Sequence, residues 1–176
     1  MDDDSSSDRL HQAFLREQVH LLDAAMKKFR HCVFQLSDEQ LWWRPGDGQN
    51  SIANLVLHVC GNMTQWIVCG VGGEEDDRDR ESEFAADGGQ IRGDLWAFLE
   101  STVEVVKQVI AAVPLEELLR ERVIQGFPVS GLSALSHSVN HFVGHTHQVI
   151  QLTRFQLGDA YQFEWSPAVD DKSLPI

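Results

Sequence analysis

The sequence predicts an all-α protein, an antiparallel four-helix bundle with long connecting loops. Three observations carry this. Four stretches of roughly 20 to 28 residues place apolar side chains at helical spacing. No segment shows a convincing strand pattern. At 176 residues the chain is long enough for one domain to bury a core without disulfides.

The first helix is expected from about Asp8, a capping residue, to about Leu36. Its apolar face is Leu10, Phe14, Leu21, Leu22, Ala25, Met26, Phe29, Val33 and Leu36. Residues 1–7 read as a disordered tail. Ser37 and Gln40 stand as a capping box for one short turn through Trp42 and Trp43, and the Gly-rich Pro45–Gln49 stretch then breaks the chain. A second helix starts near Asn50 or Ser51, carries Ile52, Leu55, Val56, Val59, Met63, Trp66 and Ile67, and ends around Gly70–Gly73. Glu74–Glu83 holds seven acids and two arginines, which predicts a solvated loop.

A third helix runs from about Gln90 to Ala112 on Ile91, Leu95, Phe98, Leu99, Val103, Val106 and Ile110. Pro114 opens a brief turn through Leu119, and Arg122–Val129 reads as irregular or weakly extended. The last helix spans about Ser130, a good cap, to Leu157, with Gly158 as its stop. No internal repeat or linker divides residues 8–160, which read as a single domain. Residues 161–176 read as a C-terminal tail.

A net charge of −13 and a pI near 4.8 argue against nucleic acid or an anionic membrane surface as a partner. No apolar run is expected to reach transmembrane length, and the acidic start MDDDSSSDR is unlike a signal peptide. Cys32, Cys60 and Cys69 are an odd number without a close pair, which suits a reducing compartment and thiols packed as small hydrophobes. These features predict a cytoplasmic protein.

Histidines carry the functional signal. Five of eight lie on the second and fourth helices: His58, His137, His141, His145 and His147. A step of four residues turns a helix by about 40° and rises about 6 Å, so an i, i+4 pair can share one ion. His137 and His145 are roughly 12 Å apart along the axis, too far for ligation at about 2.0–2.1 Å each. His147 points about 200° away from His145. The last helix therefore offers either the His137/His141 or the His141/His145 pair. His58, set in the apolar run Leu55-Val56-Leu57-His58-Val59, is the obvious third donor. Three imidazoles would leave coordination positions for a substrate, whereas structural zinc sites close with four protein ligands. Against this, a buried histidine is more often a core residue than a ligand, and His11, His20 and His31 are assigned to the core or the surface. The H-E-x-x-H motif is absent.

The run His141-Phe142-Val143-Gly144-His145-Thr146-His147-Gln148-Val149-Ile150 resembles the closing H-x-x-x-H-x-G-Q-I motif of DinB-like proteins. This family of metal-binding four-helix bundles includes bacillithiol-transferase-like members. Asn50-Ser51-Ile52-Ala53-Asn54-Leu55-Val56-Leu57-His58-Val59-Cys60-Gly61-Asn62 resembles its second-helix motif, and Leu36–Pro45 its L-s-x-e-q-L-x-w-r-P stretch. Arg78–Phe84 is similar to a charged loop of a DinB-like branch of unknown function. The likeness covers about Arg16 to Gly158.

The resemblance implies a DinB-like four-helix bundle, commonly a homodimer, with a divalent metal on His58, His141 and His145. It leaves zinc, nickel and iron equally suited. His147 departs from the pattern, standing where the family usually has glycine. Family members resemble thiol S-transferases, so a low-molecular-weight thiol is the implied substrate class. Asn54, Asn62 and Gln148 are candidates to orient the histidine ligands from behind, with interhelical or capping contacts as their plainer reading. Trp42 and Trp43 would line the entrance or pack in the core. No general base and no cysteine nucleophile stands out.

Three functions follow: thiol S-transferase, metal-dependent hydrolase at the same site, or a non-catalytic stress-related metal-binding bundle. A thiol pocket calls for a cation, and Arg44 is the local candidate. A hydrolase calls for an acid reaching the bound water, and no spacing supplies one.

Overall fold

A computed structural model describes residues 2–164. Helix α1 spans Asp2–Val33 and buries Leu15, Leu22, Ala25, Phe29, Cys32 and Val33 along one face. It begins before the expected Asp8, so residues 2–7 continue the helix where the sequence predicted a disordered tail. Leu10, placed on the apolar face from sequence, is exposed. The short α2, Asp38–Trp42, is opened by a capping box. The Gln40 amide donates to Ser37 Oγ at 3.2 Å and the Ser37 amide donates to Gln40 Oε1 at 2.9 Å.

The second long helix, α3, covers Ile52–Met63 and passes into a π-helical turn, Thr64–Cys69. A second capping box, Ser51 with Asn54, starts it and is wholly buried. The stretch Ile52–Cys69 is long and apolar enough to cross a membrane, contrary to the sequence expectation, and 67% of it is buried inside the bundle. Such a helix is apolar all round because neighbours cover it.

The acidic segment is not a plain solvated loop. Asp79 caps a short helix α4, Arg80–Ala85, and Glu83 is buried. Helix α5, Arg92–Ala112, buries Leu95, Leu99, Val103, Val106 and Ile110, while Ile91 and Phe98 are exposed. After α6, Leu115–Leu119, the stretch read as irregular or weakly extended forms an antiparallel hairpin of β1, Glu121–Ile124, and β2, Phe127–Ser130. Its two-residue turn sets Gln125 at φ 53 and Gly126 at φ 80, the double-positive pattern of a type I′ turn. Helix α7, Gly131–Leu157, is capped by Ser130, whose Oγ accepts from the Ser133 amide, and stops at Gly158 with φ 51.

The four long helices pack in a ring, with α1 against α5 and α7, and α3 against α5 and α7. Contacts fix their directions. His11 meets Val113 and Asp23 meets Lys107, so α1 and α5 run oppositely. Asn62 meets Ser138 and His58 meets His141, so α3 and α7 also run oppositely. Thr102 lies beside Cys60 while Val109 lies beside Gly72, so α3 and α5 run the same way.

That parallel pair explains the long connection between α3 and α5. The chain must return along the bundle before α5 can start, as any parallel crossover requires. It walks back down α3: Asp76 meets Gln65, Glu83 meets His58, Ala86 meets Asn54, and Gln90 meets Trp42. At the centre of the core Phe29 stacks on Phe142 with centroids 5.8 Å apart. Each ring is fully buried, a contribution of about 1.5–3 kcal/mol apiece. Tyr161 and Gln162, at the start of the expected tail, pack back on the end of α1 and the turn after it through Cys32, His31 and Gln35. Residues 165–176 of that tail lie outside the described residues.

Candidate metal centre

Helix α3 supplies His58 near its middle, and α7 supplies His141 and His145 one turn apart. The three side chains converge: one nitrogen from each lies within 4.8 Å of the others. His58 Nε2 and His141 Nε2 are 3.0 Å apart, and the ring of His145 stands edge-on to both. His137 is not part of this group. It stacks between Trp66, at 4.2 Å, and the His141 ring, at 5.9 Å. His147 and His20 are exposed, His11 bonds to the Val113 carbonyl, and His31 bonds to the Gln162 carbonyl.

Burial favours the neutral form of His58 and His141. The His141 imidazole is pushed down to about 3, first by desolvation and then by the charges of His145, His58, His137 and Arg78. Desolvation also lowers His58, against the pull of Glu83. Neutral imidazoles present lone pairs, the state that binds a metal. Two ring nitrogens sharing one tetrahedral ion at about 2.0–2.1 Å would sit about 3.3–3.4 Å apart. The 3.0 Å between His58 and His141 is close to that separation. The donor set therefore fits a divalent cation.

Behind His58 stands a charged pair from the returning segment. His58 Nδ1 is 2.9 Å from Glu83 Oε2, and Arg78 donates to both carboxylate oxygens, at 2.6 and 2.8 Å. Arg78 also donates to Gln65 Oε1 at 2.9 Å, and Gln125 of the hairpin turn donates to that same oxygen. On the other helix His145 Nδ1 lies 2.9 Å from Gln148 Oε1.

The remaining candidates sit elsewhere. Asn54 joins the Ser51 cap to the Glu83 and Ala86 carbonyls, and Asn62 accepts from the Ser138 hydroxyl, so both tie elements together and neither bonds a histidine. Arg44 directs its guanidinium to the carbonyls of Gln49, Phe84 and Ala86. Trp42 donates to the Gln90 carbonyl and Trp43 stacks on Phe155. Burial holds the Cys60 thiol at about 12 and raises Cys32 and Cys69, so none of the three is poised as a thiolate.

A family model described as "Protein of unknown function (DUF1572)" matches residues 9–166. The chain belongs to this family. No curated protein matches the DUF1572 chain. Its fold is shared with a conserved protein from Enterococcus faecalis, with a TM-score of 0.68 at 17% identity over 81% of this chain and 96% of that one. A DinB-like protein, YjoA from Bacillus subtilis, gives 0.64 at 16% identity over 86% and 99%. A mycothiol-dependent maleylpyruvate isomerase gives 0.62 at 16% identity over 77% of this chain and 60% of that one. The fold of this DUF1572 protein is DinB-like.

Sequence reasoning missed Arg78 and Glu83. Their charge run is the composition of a solvated loop, and nothing in it marks which two of its charges turn inward. The signal lay in Gly61. A Cβ there would sit 2.0 Å from Glu83 Oε1 and 2.8 Å from Arg78 Nε, so any larger residue would force the pair to shift away from α3.

Proposed function

We propose that this DUF1572 protein is a metal-dependent enzyme of thiol S-transferase type, with His58, His141 and His145 as the metal ligands. The convergence of three imidazoles from two facing helices carries the reading. A divalent metal held there would supply a positive charge that favours thiolate over thiol at neutral pH. The chain's own groups do the rest. His145 is oriented by Gln148 and His58 by Glu83. Helix α3 keeps the buried side of the site dry, and the nucleophile comes from a low-molecular-weight thiol, since the protein's own thiols are held protonated by burial.

The fold neighbour named for its mycothiol dependence supports the thiol as substrate class. A hydrolase reading has less support. Glu83 is the acid nearest the trio, and both its oxygens are occupied by Arg78 and His58.

The test is elemental analysis of untagged protein, wild type beside His58→Ala and His145→Ala, followed by conjugation of small thiols to monobromobimane. Near one zinc, nickel or iron per chain, lost in both variants while the helical signal persists, is expected. Metal-dependent conjugation should accompany it. Equal metal in wild type and variants overturns the site, and full metal with no acceleration for any thiol favours the non-catalytic bundle.

A further inference from the structure

Arg78 and Glu83 are a nearly sealed ion pair, with side chains 5% and 8% exposed. Desolvating two charges costs several kcal/mol per ion, and a buried pair seldom stabilises a fold beyond what apolar residues would. The returning segment does not need the pair as an anchor. Asn54 and Arg44 already hold its backbone through the carbonyls of Glu83, Phe84 and Ala86. What the pair does touch is the far side of a histidine whose other nitrogen faces His141.

The proton on His58 follows from the contacts. Nδ1 is 2.9 Å from Glu83 Oε2 and 3.2 Å from Arg78 Nη2. If Nδ1 carried a lone pair, that lone pair would face a carboxylate oxygen at 2.9 Å, which is repulsive. With a proton on Nδ1 it donates to Oε2, and Arg78 directs its own hydrogens to the two carboxylate oxygens. Nε2 is then the unprotonated nitrogen, aimed at His141.

Resting on the metal reading above, we infer that Arg78 and Glu83 are positioning residues. The carboxylate fixes His58 in its Nδ1–H tautomer and ring orientation, and the guanidinium fixes the carboxylate. Gly61 is the gap in α3 that admits them, and Gln65, itself bonded by Gln125, steadies the guanidinium from its other end.

The test uses the full chain and two readouts. Long-range nitrogen–proton NMR of the metal-free protein reads the His58 tautomer directly, and zinc affinity is measured by competition with a chromophoric chelator. Wild type should show Nδ1–H on His58. Glu83→Ala should shift His58 to a tautomer mixture and weaken zinc binding by about 10- to 100-fold, and Glu83→Gln, which keeps an acceptor, should lose less. Gly61→Ala should act in the same direction without altering either charge. An Nε2–H His58 in wild type, or a Glu83→Ala protein with unchanged tautomer and zinc affinity, overturns the inference. If wild type binds no zinc, the metal reading fails on its own, and the tautomer in metal-free protein still decides whether the pair positions His58.

Discussion

His145 and Gln148, three residues apart on α7, are joined by a 2.9 Å contact between Nδ1 and Oε1. An amide oxygen can only accept, so Nδ1 is the donor in this contact and Nε2 is the nitrogen left to face an ion. Glu83 does the same for His58 from a different element. Two of the three histidines are therefore oriented from behind.

Gln148→Ala removes the acceptor on His145 and should weaken zinc binding by about 10-fold, the lower end for an outer-shell partner because the contact is exposed. Gln148→Glu, which keeps an acceptor, should retain most of the affinity. Chelator competition measures both. Unchanged affinity in Gln148→Ala would leave Gln148 as a surface residue.

Acid should destabilise the metal-free protein through His141. In the unfolded chain a histidine titrates near 6.5, whereas His141 in the fold stays neutral down to about 3. Between those values the unfolded state binds more protons, so stability falls as pH is lowered from about 6.5 toward 3. His58 is shifted the same way and adds to the slope. Thermal melting in chelator from pH 7 to 4 should fall less steeply in His141→Leu than in wild type. Parallel curves would count against the burial effect.

The cysteines should be bystanders. Cys32 and Cys60 are buried, and Cys69 is half-buried with its thiol donating to the Glu75 carbonyl. A thiol reagent on native protein should label Cys69 first and reach the other two only on unfolding. Cys69→Ser should leave any thiol-conjugating activity unchanged. Loss of activity in that variant would move the nucleophile from a small thiol to the protein.

The helices were legible because local chemistry agreed with the fold. Ser37 with Gln40, Ser51 at the head of α3, and Ser130 with Gly158 around α7 mark ends by bonds a few residues long. At the hairpin only a weakly extended character was legible and the pairing was not, since β1 and β2 are four residues each and gain that pairing from each other. Spacing brought His141 forward and left His137 and His145 equivalent. Tertiary contacts separate them, since Trp66 covers His137 while His145 turns toward His58. Glu83 was invisible for the opposite reason. A carboxylate in an acidic run reads as solvated until the path of the chain back along α3 shows what it meets.

His58 and His141 lie 83 positions apart, on helices that meet only after the last long helix has docked. A folding intermediate without α7 holds one of the three imidazoles and offers an ion no chelate. Chelation by all three histidines would thus require the completed tertiary fold, and during synthesis it could follow only after the C-terminal third had emerged. An ion that binds only the native state also deepens the native well, by about 2.7 kcal/mol at a free concentration 100-fold above Kd. Holding the histidines on helices so far apart in sequence would make such a site a reporter of finished chains.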